Sequence, residues 1–229
     1  MVEGEEREGK GQPRKNTVEQ ATYVRQRLAT LSDSLERKFE ELRLLADVSQ
    51  KLTAGVILGE VLDFVYRSFR GLLPYERIGL SLLEGHPPAV QVRSFWVRSD
   101  AADVRLGEGY AAPLAGSSLE TIVRTGEPRI LNDLEAYLAR HPASGSTRLI
   151  VEEGMRSSLT CPLVASGTPV GFLFFSSRTP GTYAGVHVAT FQALAGVLSL
   201  AVERGRLYGQ LLEIEVLKQR LQTLRQDPV

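Results

Sequence analysis

Apolar residues recur at every seventh position at both ends of this chain. Near the start, one series runs through Val24, Leu31, Lys38, Leu45 and Leu52, and a second runs through Ala21, Leu28, Leu35, Leu42 and Ser49. Two series offset by three or four residues place an apolar stripe along one side of a helix, which is typical of a coiled coil. The sequence therefore predicts a coiled-coil helix over residues 17–54.

The chain before this helix, residues 1–16, is polar and mixed in charge, so we expect a disordered tail there. An amphipathic helix folded onto its own domain would also produce part of the heptad pattern. The stretch before Phe39 is too charged for a core helix, however, and the pattern exceeds four heptads. We therefore expect this helix to pair with a helix of another chain.

A second long helix is predicted over about residues 186–226. Its first half is apolar enough to pack on a sheet, and its second half, residues 206–229, returns to coiled-coil spacing. A helix of roughly 40 residues is about 60 Å long, so it must project beyond its domain. We expect the apolar residues of both helices to hold two copies in a parallel homodimer: Leu28, Leu31, Leu35, Leu42, Leu45, Leu207, Ile214, Leu217, Leu221 and Leu224.

Between these helices, residues 55–205 predict one domain with a sheet, because the apolar pattern changes from helical to strand spacing. The predicted elements are a helix, two strands, a loop with small helices and a very hydrophobic hairpin: 56–73, 77–83, 90–97, 99–155, 158–165 and 170–176. The last strand is apolar on both faces, so it belongs at the centre of the sheet. The fold class is therefore α+β, with a central antiparallel sheet.

Capping signals place the small helices. Ser117 stands three residues before Glu120, and Asn132 stands three residues before Glu135, which is the spacing of a capping box. Gly126 lies where a left-handed residue ends the first of these helices. A third is predicted over about 147–153.

Several segments resemble the GAF family. Residues 157–164, Gly167 and 169–175 resemble its hairpin, with a proline in the first strand, a glycine turn and a Gly-x-Leu second strand. Residues 44–52 resemble its first helix, and the middle segment from Gly116 through 125–128 to 132–134 also matches. The resemblance covers about residues 40–208 and is greatest to GAF domains of bacterial signalling proteins, histidine kinases in particular.

The resemblance implies a GAF-type sheet with its helices on one face and a ligand pocket on the other, closed over by residues 99–155. It also implies a cytoplasmic sensory module of a two-component system, which relays the state of the pocket through its flanking helices. In such proteins the exit helix continues into an output domain. Because this chain stops at Val229, the expected output is a partner protein, or the chain is a fragment. The alternative is a dimerisation scaffold that binds no ligand.

Six residues are candidates for lining that pocket: Trp96, Tyr110, Arg148, Glu152, Ser158 and Thr160. The aromatic rings of Trp96 and Tyr110 would stack on a planar ligand, and Arg148 would pair with an anion. Other interpretations remain open for each residue alone. Trp96 suits a core position, and Arg148 with Glu152 has the spacing of an exposed pair on a helix.

No residue pattern in the chain indicates an enzyme, a metal site or a bound cofactor. The one cysteine, Cys161, alternates with leucines on a strand and is followed by proline, whereas chromophore-binding relatives carry histidine there. Reductases built on this fold use several cysteines. The three histidines are scattered and lack metal-binding spacing, although one histidine is enough for an axial haem ligand. The residue set of cyclic-nucleotide-binding relatives is not found either.

The balance of charge removes two classes of partner. Lys and Arg total 27, as do Asp and Glu, so the formal net charge is zero and offers no field that attracts nucleic acid or an anionic membrane. No apolar run is expected to reach the roughly 20 residues of a membrane-spanning helix. The start of the chain has no apolar core of a signal peptide. We therefore expect a cytoplasmic protein.

Overall fold

The computed structural model describes the backbone of residues 12–226, and side chains for 19–209, 211, 214–216, 218 and 219. The helices are α1 (Gln12–Thr53), α2 (Leu58–Ser68), α3 (Leu119–Thr125), α4 (Leu134–Arg140), α5 (Gly145–Glu152) and α6 (Gly185–Gln226). The strands are β1 (Arg77–Glu84), β2 (Gln91–Ser99), β3 (Ala111–Pro113), β4 (Arg129–Leu131), β5 (Ser157–Ala165) and β6 (Thr168–Ser177). The chain divides into two units after Arg43.

The six strands form one antiparallel sheet in the order β3-β2-β1-β6-β5-β4. This confirms the predicted α+β fold with a central antiparallel sheet. The hairpin of β5 and β6 turns at Ser166 (φ 51°) and Gly167 (φ 78°), and two consecutive left-handed residues are what a two-residue hairpin turn requires. The short strand β3 lies in the segment for which the sequence predicts only a loop.

The hydrophobic core lies on one face of the sheet, between the strands and helices. The sheet contributes side chains that alternate along each strand, such as Leu159, Cys161 and Leu163 on β5. The helices contribute Leu44, Val48, Leu52, Val61, Leu62, Val65, Phe191, Leu194 and Leu198. The core therefore includes the last turns of α1, which lie before the predicted domain start at residue 55.

A polar bond also joins α6 to the sheet. The pairing of β5 with β6 shifts between Leu163 and Val164, where Val170 of β6 is the extra residue of a bulge. At this bulge the backbone N–H of Val164 donates to the hydroxyl of Ser199 (3.0 Å), which itself donates to the Ala195 carbonyl (2.6 Å). The hydroxyl thus satisfies a backbone donor, and α6 is held at one point along β5.

The apolar residues predicted to pair the long helices fall into three groups. Leu28, Leu31, Leu35 and Leu42 are exposed along α1, as are Leu207 and Ile214 on α6. Leu45 instead packs against the core of its own chain. The side chains of Leu217, Leu221 and Leu224 lie outside the described residues. α1 begins at Gln12, within the segment predicted as a tail, and residues 1–11 lie outside the described part.

The two capping boxes differ from the prediction. Ser117 Oγ accepts from the N–H of Leu119 (3.3 Å), and the Glu120 carboxylate accepts from Gly116 (3.0 Å), so both bonds are displaced by one residue. α4 is capped by Asp133, whose carboxylate accepts from the N–H of Ala136 (2.8 Å). Asn132 instead exchanges two hydrogen bonds with the Tyr183 backbone.

In the described part of the chain, one stretch, Gly185–Val216 of α6, has the length and composition to cross a membrane, with a mean hydropathy of 1.6. The expectation that no run reaches this length is therefore wrong. Its side chains Phe191, Leu194 and Leu198 are fully buried against the core. This is the arrangement of a core helix, whose length and apolar composition can equal those of a membrane-spanning helix.

The prediction for the sheet concerns Gly171 on β6, where an added Cβ would lie 2.1 Å from the carbonyl oxygen of Ser81 on β1. Because that atom is backbone, Gly171→Ala must separate the two central strands. We expect the free energy of unfolding in urea to fall by about 3 kcal/mol or more. Gly196→Ala is the control, since that helical glycine has open space, and should stabilise by up to about 1 kcal/mol. Equal small effects would contradict the strand spacing.

Candidate ligand pocket

The sheet face opposite the hydrophobic core is the floor of a cavity of about 640 Å³. One row of cross-strand partners crosses this floor: Arg129 on β4, Thr160 on β5, Phe174 on β6, Gly79 on β1 and Val97 on β2. Neighbouring strands are about 4.8 Å apart, so the row spans roughly 19 Å. The floor is therefore cationic at its β4 end and apolar over β6 and β2.

Hydroxyl groups line much of the remaining cavity wall. They come from the floor and from the starts of α3 and α5: Ser81, Ser94, Ser117, Ser118, Ser144, Ser146, Thr147, Ser158 and Thr160. The Ser144 hydroxyl donates to Thr147 Oγ1 (2.8 Å) and makes no capping bond to α5. Among the lining residues, all of which are described, none is acidic. The wall therefore offers many uncharged hydrogen-bonding groups and an excess of positive charge.

A buried ion pair holds the covering segments to the floor. Arg77 of β1 and Glu153, just after α5, are fully buried, and Arg77 Nε donates to Glu153 Oε2 (2.9 Å). Both side chains also bond to the backbone of Leu106. Arg77 Nη2 donates to the Leu106 carbonyl (2.6 Å), and the Leu106 N–H donates to Glu153 Oε1 (2.6 Å). Burial lowers the pKa of Arg77, and Glu153 opposes that shift. The pair thus joins three separate segments.

Arg129 has a different environment, although it lines the same cavity. Its Nε is buried without a hydrogen-bond partner, and its Nη1 donates to the Ser118 carbonyl at a long distance of 3.5 Å. A hydrogen bond to the Tyr137 side chain also acts on the guanidinium. The Tyr137 ring lies 5.8 Å from its Cζ. Burial lowers the pKa of Arg129, an effect that Tyr137 opposes. No carboxylate of the described residues forms an ion pair with it, so its charge is uncompensated within that part of the chain.

Three of the six predicted pocket residues, Tyr110, Ser158 and Thr160, line this cavity. Trp96 does not, because a bulge at Phe95 changes the alternation of β2: Ser81 pairs with Ser94, but Leu80 pairs with Trp96. Val97 therefore faces the cavity, and the Trp96 ring lies in the hydrophobic core. The placement of Trp96 in the pocket is therefore corrected to the core position that was its alternative interpretation.

Arg148 and Glu152 of α5 are also outside the cavity wall. Both are exposed, and Arg148 donates to the carbonyl of Pro142 (2.6 Å). α5 presents its first turn and Ile150 to the cavity instead. Sequence reasoning missed the two lining arginines. The available signals were an arginine beginning a strand with Gly79 and Ser81 on the same face, and an arginine in the short apolar strand β4.

Comparison with known proteins gives the family. The sequence model of the GAF domain matches residues 57–203, more than half of the chain. The chain belongs to the GAF domain family. GAF domains are generally regulatory rather than catalytic modules. Curated proteins give no match.

Solved structures share the fold at low sequence identity. The GAF domain of a phosphoenolpyruvate-protein phosphotransferase from Coxiella burnetii is 18% identical, with a TM-score of 0.59 over 75% of this chain and 98% of that one. The GAF domain of a two-component sensor histidine kinase from Bacillus halodurans is 16% identical, with a TM-score of 0.56 over 67% and 98%. A phycoerythrobilin-bound GAF domain from a cyanobacterial phytochrome is 15% identical, with a TM-score of 0.57 over 74% and 97%.

The other chemical candidates in this GAF domain lie apart from one another. Cys161 faces the hydrophobic core, not the cavity, and burial raises the pKa of its thiol to about 12, with Glu127 adding to the shift. His141 is at the cavity wall, where its ring stacks on Tyr137 at 4.2 Å. Within the described residues, no group of three or more histidine, cysteine or acidic side chains is placed to hold a metal ion.

The first prediction for the pocket tests the ion pair. Glu153→Gln keeps the shape and an acceptor for Leu106, but leaves Arg77 buried without a counter-charge. We expect the free energy of unfolding to fall by about 3–5 kcal/mol, and Arg77→Met/Glu153→Met to recover part of that loss. Glu84→Gln, which breaks the exposed pair with Arg93, should cost less than about 1 kcal/mol. Equal losses of stability from Glu153→Gln and Glu84→Gln would contradict the conclusion that burial makes the Arg77–Glu153 pair the more important one.

A second prediction concerns Cys161. With a thiol pKa of about 12, the thiolate fraction at pH 8 is on the order of 1 in 10,000. We expect the native protein to resist an aromatic disulfide reagent that the same protein in denaturant consumes completely, followed by absorbance. Rapid stoichiometric labelling of the native protein would show that the thiol is accessible and ionised.

Proposed function

We propose that this GAF domain is a sensory module that binds a small molecule in its cavity and relays occupancy through a homodimer of its long helices. The observation that carries the proposal is the cavity of about 640 Å³, lined by hydroxyl groups and two arginines, on the sheet face opposite the core. A space of this size is within the usual range for a small-ligand site. The module passes its signal to a partner protein or to an output domain.

The polar wall favours a sensor over a scaffold without a ligand. A scaffold would fill the space with its own side chains, and Phe172 and Phe174 are the aromatic residues of that face. Phe172 is fully buried and Phe174 lines the cavity, yet the space remains. Hydroxyl groups around an unfilled space are suited to hydrogen bonding with a ligand.

The exposed apolar residues of the long helices support pairing. Leu28, Leu31 and Leu35 are each more than half exposed on α1, and Leu211 is also more than half exposed on α6. Single exposed leucines are common on protein surfaces, but a row at heptad spacing supports pairing in a coiled coil. A parallel pair of such helices would carry a change of angle or register away from the sheet domain.

Native mass spectrometry of the purified chain, followed by denaturation, tests both parts of the proposal. We expect a dimer with additional mass that is released on denaturation, and this mass gives the ligand class. A bare dimer that takes up no compound from a cell metabolite extract would support the scaffold instead. A monomer at micromolar concentration would overturn the pairing of helices.

A variant pair tests the seam directly. Leu28→Asp/Leu35→Asp introduces two charges into the apolar stripe of α1, and we expect the dimer to dissociate in sedimentation experiments because those carboxylates would be buried at the interface. Gln26→Asp/Thr30→Asp introduces the same charges outside both heptad series and should leave the dimer intact. Dimers of equal stability from the two double variants would place the interface elsewhere.

A further inference from the structure

The cavity wall carries one positive charge that no ion pair among the described residues balances. Arg77 and Arg129 are its lining arginines, and Arg77 is neutralised by its bond to Glu153. Arg129 has no ion-pair partner among the described residues, and its Nε is buried without a hydrogen bond. Since a largely buried charge without a counter-charge is unfavourable, this position on the cavity wall is suited to an anion supplied by a ligand.

The chemistry of that acceptor follows from the guanidinium group. Its donors form a planar fork that matches the two oxygens of a carboxylate or phosphate. A phosphate monoester carries a charge of about −1.5 to −2 at neutral pH, which is more than the single uncompensated charge of this wall. A carboxylate carries one charge and leaves no excess. The balance of charge therefore favours a monocarboxylate.

The remainder of the ligand is indicated by the floor beside Arg129. Thr160 is its cross-strand neighbour, and Phe174 follows in the same row. Two strand spacings separate Arg129 from Phe174, which is about 10 Å. Val92 and Leu119 pack near Phe174 and also line the cavity. A molecule with an acidic end at Arg129 would thus place an apolar end over Phe174.

We propose that the cavity binds a small monocarboxylate with an apolar body, whose carboxylate pairs with Arg129 and whose body lies on Phe174. This rests on the proposed sensory function and specifies the ligand class of the same site. Arg129 is the anchor, and Thr160, its cross-strand partner, is the neighbouring polar residue on the floor. The paired Arg77 holds the covering segments and takes no part in recognition of the anion.

The test uses three small probes that share a phenyl group and differ at the polar end: 3-phenylpropanoate, its amide and 2-phenylethyl phosphate. Each is titrated into the full chain, and the side-chain Nε–H resonance of Arg129, assigned by its loss in Arg129→Met, is followed by NMR together with the resonances of Tyr110. We expect 3-phenylpropanoate to shift the Arg129 resonance with saturation at millimolar concentration. The amide should bind at least about tenfold more weakly.

Two variants separate the anchor from general effects on the pocket. Arg129→Met should weaken binding of the carboxylate by about tenfold or more and leave the amide unchanged, because only the charged hydrogen bonds are lost. Arg129→Lys keeps the charge without the fork and should fall between Arg129→Met and the unmodified chain. Arg124→Met, on the exposed side of α3, is the matched control and should change neither affinity.

The outcomes distinguish the ligand class from the proposed function. If carboxylate and amide shift the Tyr110 resonances equally, and Arg129→Met changes neither affinity, the pocket is a binding site but the monocarboxylate is wrong. Tighter binding of the phosphate than of the carboxylate would likewise overturn the argument from charge. If none of the three probes perturbs any cavity resonance, the proposed ligand class is wrong, whereas the sensory function fails only if the mass-spectrometric experiment also finds no bound compound.

Discussion

Two opposite charges are buried together where the sheet meets the segments that cover it. Arg77 and Glu153 bond to each other and to both backbone groups of Leu106, so three segments distant in sequence are fixed at one point. Desolvating such a pair is unfavourable unless its bonding groups are satisfied, and here the Leu106 backbone supplies two of the bonds. The cavity depends on this arrangement, because it holds the cover without filling the space beneath it.

The two faces of the sheet are consequently stabilised by different forces. The helix face buries a large continuous cluster of leucine, valine and aromatic side chains, and hydrophobic burial of that kind is non-directional. The cavity face has only a small cluster around Val92, Ile122 and Phe172, and otherwise depends on hydrogen bonds and the ion pair. Polar contacts are directional, so the cavity side is the one in which a ligand can replace protein groups with specificity.

The sequence predicts the helix face better than the cavity face, for a physical reason. Helical and strand periodicities report burial within one element, and they locate the helices, the hairpin and the alternation that puts Ser158 and Thr160 opposite Cys161. They do not report where a bulge such as that at Phe95 changes the alternation, and so Trp96 is misplaced. The periodicities also do not report which segments, distant in sequence, are in contact in the folded domain. The partnership of Arg77 with Glu153 joins residues far apart in the chain. Arg129 becomes distinctive only in the three-dimensional structure, where none of the described carboxylates forms an ion pair with it.

β5 belongs to both faces at once. Thr160 faces the cavity and the next residue, Cys161, faces the core, while Val164 a few residues on is bonded to Ser199 of α6. From Ser199 the helix continues to Gln226, about 40 Å at its usual rise. The long part of α6 beyond Ser199 therefore turns a small rotation at the sheet into a larger movement at its end. A tilt of about 5° at Ser199 would move the far end by about 3.5 Å over that length, so a small rotation of α6 beside the sheet is enlarged along the helix.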